Sequence, residues 1–368
     1  MAKTIALYIS SLRKGGAERV IANLATFFDH AGYRVVLVTT RKEETEYEVP
    51  ASVFREISEP DADKLGKGRT RDFLTRFYTL RRIWKKEKPD VILSFIGKNN
   101  MMAILTSLGM GIPVAVSVRG EPSEEYYSRS LRFFAKALFR FADCIILQTK
   151  QCFQFFPKEV SKKAVILKNP VNESFLRPRY EGERDKTIVA VGRTDENKNH
   201  EMLIRAFAGI ADEFPEYKLL IYGDGEKRGQ LRELVSEMGL DERILLPGST
   251  AHVADTIYKT RVFVLSSNTE GMPNTLIEAM VMGLTVVSTD CPCGGPAELI
   301  QNNYNGILVP VGDVNKMQEK LQFLLNNLQE ADRMGINATK TSDIYMPEKV
   351  YEEWQNCLEN LMKGKCRE

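Results

Sequence analysis

Histidine is scarce in this chain: His30, His200 and His252 are all that 368 residues contain. None lies at ligand spacing from Cys291 and Cys293, so no metal site is expected. The six cysteines (Cys144, Cys152, Cys291, Cys293, Cys357 and Cys366) are too sparse for a disulfide framework and suit the reduced thiols of a cytosolic protein. Long hydrophobic runs are also missing. The longest apolar stretch, 103–118, is broken by Gly109, Gly111 and Pro113, so no membrane span is expected. The run TIALYIS is too short for a secretory core and leads straight into SLRKGG, which argues against a leader. There is no short-period repeat, no low-complexity tract and no G-x-G-x-x-G. The second strand-like run ends in TTRK with no acidic ribose ligand, which excludes a nicotinamide dehydrogenase.

A hydrophobic content of 43% is ordinary for a soluble chain of about two domains. The net charge of +2 hides an asymmetry. Residues 1–180 hold 31 Lys+Arg against 19 Asp+Glu, a net +12, whereas the remainder holds 20 against 30, a net −10. The first half should therefore prefer an anionic surface or substrate.

Short β-rich runs alternate with helical-period segments throughout, the pattern of parallel sheets covered by helices on both faces. A first set reads TIALYIS, RVVLVTT, VILSF, VAVSV, CIILQT and AVILKN; a second reads TIVAVG, YKLLIYG, RILLPG, VFVLSS, LTVVST and GILVP. The polar, proline-bearing NPVNESFLRPRYEGERDK lies between them. The division expected is an N-terminal Rossmann-like domain over 1–170, a linker over 171–185, a second Rossmann-like domain over 186–343, and a C-terminal helix over 344–368. That helix carries Tyr351, Trp354, Leu358 and Leu361 on one stripe and needs a surface to cover, in its own domain or back on the first.

Ligands of doubly wound sheets bind beyond the carboxyl ends of the strands. There the second set places Gly192, Arg193 and Lys198, then Gly223, Asp224 and Gly225, then EGMPNTLIE, which begins at Glu270 and ends at Glu278. Arg193 and Lys198 suit a diphosphate; the alternative is pairing with Asp195 or Glu196. Gly223 and Gly225 could simply make a tight turn. A helix starting near Thr275 would offer free N–H groups to a phosphate. Thr275 and Glu278 also have capping-box spacing, which leaves Glu270, Gly271 and Pro273 unexplained. In the first set, Gly15 and Gly16 of SLRKGGAERV would let backbone approach a phosphate.

In order and spacing, GGAERV, VGRTDENKN, LLIYGDGE, ILLPG, the E-x7-E segment EGMPNTLIEAMVMGLTVV, CPCGGPAELI, NGILVPVGD and the late helix resemble the retaining glycosyltransferases of family 4. The resemblance implies the α/β GT-B fold, two Rossmann-like doubly wound domains facing across a cleft. It implies a nucleotide-sugar donor held mostly by the second domain, with no metal and no other cofactor. By the same resemblance, Arg193 and Lys198 hold the diphosphate and stabilise the departing nucleotide. Glu270 and the backbone of Gly271, Met272, Pro273 and Asn274 hold the transferred sugar. The N–H groups of Thr275 and Leu276 meet the distal phosphate, Glu278 the ribose, and the main chain near Leu246 and Pro247 the base. Attack on the leaving group's own face would retain the anomeric configuration. Where many members have a histidine, this chain has Arg119, which cannot act as a base; it is read as an acceptor or phosphate contact, or as an ion-pair partner of Glu121 or Glu124.

The basic first half bears on the acceptor. Residues 64–88 contain ten Lys+Arg and two acids, with Phe73, Phe77, Leu80 and Trp84 on one stripe read as core. In SRSLRFFAKALFRFAD, Leu131, Phe134, Leu138 and Phe141 share one face, opposite Arg129, Arg132, Lys136 and Arg140, with Phe133 and Phe139 flanking the basic side. Such a face suits an anionic headgroup layer, each engaged cation contributing about 1 kcal/mol. The expectation is a protein docked on the cytoplasmic face of the membrane. It would move a hexose or N-acetylhexosamine from a UDP-sugar to a lipid-diphosphate-linked saccharide, with no nucleic-acid partner. A sugar-nucleotide epimerase of the same fold and a non-catalytic partner subunit are the alternatives. The first lacks a histidine at any motif, and the second need not keep Arg193, Lys198, Glu270 and Glu278 together.

Overall fold

The computed structural model describes residues 2–13, 15–60, 65–66 and 68–364. Lys14, Lys64, Lys67 and Cys366, each part of a reading above, lie outside the described residues. The chain divides into two compact units: Met1–Lys168 with Glu348–Glu368, and Asn169–Pro347.

Valine, isoleucine and leucine runs buried on both faces make most strands of the first unit, β1 (Thr4–Ile9), β2 (Arg34–Thr39), β4 (Val91–Phe95), β5 (Val114–Ser117), β6 (Cys144–Leu147) and β7 (Ala164–Ile166), with β3 (Phe54–Ile57) at the edge. They form one parallel sheet in the order β3-β2-β1-β4-β5-β6-β7. Its helices are α1 (Gly16–His30), α2 (Arg69–Glu87), α3 (Gly97–Ser107), α4 (Pro122–Glu125), α5 (Arg129–Leu138) and α6 (Lys158–Ser161). Ile5 of β1 faces Val35 on one side and Val91 on the other, so strand order reverses between β1 and β4.

The second unit repeats the plan with β8 (Asp185–Val191), β9 (Lys218–Tyr222), β10 (Ile244–Gly248), β11 (Thr260–Leu265), β12 (Thr285–Thr289) and β13 (Ile307–Val309), ordered β10-β9-β8-β11-β12-β13. Around this sheet lie α7 (His200–Ala208), α8 (Arg228–Glu237), α9 (Val253–Ile257), α10 (Asn274–Val281), α11 (Gly295–Leu299), α12 (Val314–Asn326), α13 (Leu328–Ala338) and α14 (Ser342–Tyr345). Val189 of β8 pairs with Leu220 of β9, and its neighbour Ile188 with Val262 of β11, so the switch point lies between β8 and β11. The chain then returns to the first unit through α15 (Pro347–Met362). Val350, Trp354 and Leu358 are fully buried in that unit's core, Phe27 stacks on Tyr351 at 4.6 Å, and Trp354 Nε1 donates to the Lys168 carbonyl at 2.9 Å.

All twelve strand runs of the sequence reading are strands. β3 was not among them, because FREI is short, charged and at the sheet edge, with Phe54 and Ile57 exposed. The expected linker is corrected: 171–185 belongs to the second unit, where Val171 and Phe175 enter the core and the Val171 N–H donates to the Tyr345 carbonyl at 3.2 Å. Its polar composition disguised two apolar anchors. The α2 stripe also differs from expectation: Leu80 and Trp84 are core, together with Ile83, while Phe73 is 44% exposed. On α5 and the turn after it, Ala135 and Phe139 are buried, whereas Phe134 and Phe141, from the face opposite the basic one, are exposed along with Phe133.

Candidate active site

The carboxyl ends of β8 and β9 touch through glycines. A Cβ on Gly223 (φ +143°) would lie 1.8 Å from the Gly192 carbonyl oxygen, and one on Gly225 2.5 Å from that of Thr194. These glycines therefore serve close backbone approach as well as turning the chain. Beside them Asp224 accepts the Ser249 N–H at 2.9 Å and pairs with Arg228 at 2.7 Å. Hydrogen bonds from Ser249 and then the Arg228 charge hold its carboxyl below the usual range. Arg228 Nη2 also donates to the Leu246 carbonyl at 2.9 Å, while Pro247 is exposed and has no N–H to offer.

Across the switch point, residues 193–199 after β8 and 266–270 after β11 are stitched together. The Asn268 N–H donates to the Asn197 carbonyl at 2.7 Å, Asn197 Nδ2 to the Thr269 carbonyl at 2.9 Å, the Thr269 N–H back to Asn197 Oδ1 at 3.0 Å, and Ser266 Oγ to the Lys198 carbonyl at 2.8 Å. Asn199, with φ of +44°, accepts the Met202 N–H to cap α7 and donates to Asn268 Oδ1 at 3.0 Å. Asparagine suits these places because it tolerates left-handed backbone and its amide imitates a peptide group.

The stitching brings Lys198 Nζ to 2.5 Å from Glu270 Oε1, which also accepts from Ser267 Oγ at 2.7 Å. Both side chains are largely buried, at 17% and 13% exposure. Neither acid considered for Lys198 from sequence is its partner: Asp195 accepts only its backbone N–H, and Glu196 pairs with Lys227. Arg193 does pair with Asp195, at 3.0 Å, but its side chain is 69% exposed. An exposed pair of this kind contributes about 0–1 kcal/mol, so it leaves the Arg193 guanidinium easily exchanged to another anion.

Beyond Glu270, Gly271, Met272 and Pro273 are buried, and a Cβ on Gly295 would lie 1.6 Å from the Gly271 carbonyl oxygen. Asn169 Nδ2 donates to Asn274 Oδ1 at 2.6 Å and to the Met272 carbonyl at 3.3 Å. The helix α10 begins at Asn274 with Pro273 as N-cap and no side-chain cap. The capping-box reading is thereby corrected: Thr275 is the second helical residue, and the buried Glu278 is too far along to reach the cap. The Leu276 N–H, expected to be open to phosphate, donates to the Pro273 carbonyl at 3.1 Å. Asn274 and Thr275 head the helix. Two further groups border the site. Burial and the Lys198 charge lower the His200 pKa to about 4, keeping it neutral at ordinary pH. Burial and then Glu270 push the Cys291 thiol up to about 12.

Gly15, Gly16 and Arg119 belong to the other unit. Gly15 caps α1, after β1. Arg119 follows β5, its guanidinium 4.8 Å from the Phe95 ring centroid, and Glu125 supplies opposing charge to it. Among the described residues no three His, Cys, Asp or Glu side chains form a metal cluster, and no helix is long and apolar enough to cross a membrane. Sequence reasoning missed Asn197, Asn199 and Ser267, although all three lie beside predicted site residues. Nothing local could have flagged Asn169, whose partners are over 100 positions away.

Residues 14–175 match the family model for glycosyltransferase family 4, and residues 173–341 match that for glycosyl transferases group 1. The chain belongs to glycosyltransferase family 4. This glycosyltransferase is 27% identical over 355 residues (95% of this chain and 96% of the other) to the GalNAc-alpha-(1->4)-GalNAc-alpha-(1->3)-diNAcBac-PP-undecaprenol alpha-1,4-N-acetyl-D-galactosaminyltransferase of Campylobacter jejuni. Its fold matches sucrose-phosphate synthase from Thermosynechococcus elongatus (TM-score 0.84, 18% identity, 98% of this chain and 100% of the other). It also matches HepE of Anabaena in complex with UDP-glucose (TM-score 0.80, 16% identity, 97% and 99%). The enzyme thus has the GT-B fold, and its two family segments meet within a few residues of the boundary at Asn169.

Proposed function

We propose that this enzyme moves a hexose or N-acetylhexosamine from a UDP-sugar to a lipid-diphosphate-linked saccharide, with retention of anomeric configuration, in bacterial polysaccharide synthesis. The observation that carries the reading is the Lys198–Glu270 pair at the β8–β11 switch point, with the exposed Arg193 on one side and the head of α10 on the other. Arg193, Lys198 and the N–H groups of Asn274 and Thr275 meet the charge that develops on the departing diphosphate, where preorganised donors act most strongly. Glu270, with the backbone of Gly271, Met272 and Pro273, orients the sugar; Glu278 takes the ribose. With the leaving side so charged, a phosphate oxygen accepts the acceptor's proton on the same face, and the neutral His200 is not needed as a base. The reaction as proposed needs no metal.

UDP is favoured by the UDP-glucose bound in the HepE structure, and a lipid-diphosphate acceptor by the printed activity of the Campylobacter relative. A membrane-facing surface on the first unit fits such an acceptor. Tyr127, Phe133, Phe134 and Phe141 are exposed there beside the exposed Arg129 and Arg140. Arg132 is turned inward to the Tyr126 and Ser123 carbonyls, each at 3.0 Å, and Lys136 lies over Phe155 at 4.5 Å, so this surface is more aromatic and less basic than the sequence reading has it. The test is a donor screen that reads nucleotide release in the presence of a polyprenyl-diphosphate-linked saccharide, with the product's anomeric configuration read by NMR. Release from UDP-sugars that is abolished by Glu270→Ala and Lys198→Ala is the expected result; equal turnover in both variants would sink the site assignment.

A further inference from the structure

One side chain ties together the carboxyl ends of β4 and β5. Glu125, at the end of α4, accepts the Gly97 N–H through Oε2 at 2.9 Å, and the N–H groups of Arg119 and Gly120 through Oε1 at 2.6 and 2.9 Å. Gly97 opens α3 directly after the turn at Ile96 that ends β4, and Arg119 and Gly120 belong to the turn after β5. The first turn is strained: Ile96 has φ of +71°, a left-handed conformation that costs a β-branched residue about 1–3 kcal/mol and persists only where its surroundings impose it. The Ile96 N–H donates to the Ser117 carbonyl at 3.0 Å, which draws the two turns closer still. The second turn carries Arg119, whose guanidinium lies 4.8 Å from the Phe95 ring centroid and 5.9 Å from that of Trp354. A carboxylate in such surroundings is costly unless its hydrogen bonds and opposing charge are supplied, and here three amides and Arg119 supply them. Capping a one-turn helix needs none of this; Glu121 already accepts the Ser123 N–H at its start. The first turn stands at the β1–β4 reversal of strand order, the edge at which doubly wound sheets take ligands, and the second lies one strand further on.

We propose that Glu125 is a positioning residue for the acceptor: by clamping the two turns it aims the Arg119 guanidinium at an anionic group of the acceptor. The proposal rests on the acceptor reading above and adds to it the residue that sets the acceptor's place. Glutamine at this position keeps one carbonyl acceptor, loses the second, and brings no charge to face Arg119. In the full-length enzyme, with UDP-N-acetylgalactosamine and a polyprenyl-diphosphate-linked N-acetylhexosamine as probes, Glu125→Gln raises the acceptor KM tenfold or more. It leaves the donor KM within twofold; Glu125→Asp recovers part of the loss, and Glu121→Gln changes neither constant. An unchanged acceptor KM, or equal rises in both constants, would overturn the proposal.

A substrate-free measurement separates failure of the clamp from failure of the acceptor reading. In a Trp84→Phe background Trp354 is the single indole of the chain. Glu125→Gln and Arg119→Met then shift its emission alike, and Glu121→Gln does not. Emission that ignores Glu125→Gln rejects the clamp whichever acceptor is used. A shift in emission, together with a wild-type enzyme that leaves the lipid-linked probe untouched, supports the clamp and rejects the acceptor class instead.

Discussion

A lysine and a glutamate 72 positions apart in sequence form a largely buried ionic contact in the proposed donor site, and each depends on the other. Lys198→Ala leaves Glu270 largely buried beside Ser267 with its cation gone. The expected loss in kcat/KM for the donor is about 10²–10³-fold, the scale on which removing one charge-stabilising donor is felt, checked by steady-state nucleotide release. Arg193→Ala should act more through donor KM, because Arg193 is the exposed member of the proposed diphosphate contacts. His200 gives a second, independent handle. Its pKa is about 4 in the folded chain against an ordinary 6.5, so between those values the unfolded chain binds more protons. Its contribution is therefore intact above pH 6.5 and is lost as pH falls toward 4. His200→Gln should flatten the acid side of the Tm profile over that window, as read by calorimetry. Lys198 and Glu270 could be read as site residues from sequence, but their pairing could not, since it depends on asparagine bonds between two loops distant along the chain.

At the scale of elements, the glycines after β8 and β9 set how closely two strand ends approach. Gly223→Ala places a methyl group against the Gly192 carbonyl in a backbone conformation with φ of +143°, so the strand ends must part. Stability should fall by at least about 2 kcal/mol, and UDP affinity should fall with it, measured by chemical denaturation and calorimetric titration. For the aromatic face beside α5, replacing Phe133 and Phe134 together by serine should weaken binding to vesicles containing anionic phospholipid about tenfold or more. Melting temperature should hardly change, because both rings are already in solvent. Helical periodicity places residues on a common face correctly on both α2 and α5. What it does not say is which face a neighbour covers: on α5 the small Ala135, with Phe139 beyond it, faces the protein, and the larger rings do not.

For the molecule as a whole, parallel strands buried on both faces announce themselves as unbroken valine, isoleucine and leucine runs, which is why twelve strands were legible. The charged edge strand β3 and the apolar anchors Val171 and Phe175, set among polar neighbours, were not. Trp354→Ala should remove a fully buried side chain from the first unit alone. A thermal scan is then expected to show one of two transitions lowered, corresponding to a loss of about 3–5 kcal/mol, with the other in place. The return of α15 also has a consequence for how the chain is made. The second unit is an insertion: the polypeptide leaves the first unit at Lys168 and re-enters it at Glu348. A ribosome therefore delivers the whole second unit while the core of the first is still missing Val350, Trp354 and Leu358. A nascent chain stopped just short of that helix would carry the Lys198–Glu270 pair and yet expose an unfinished core to proteases and chaperones.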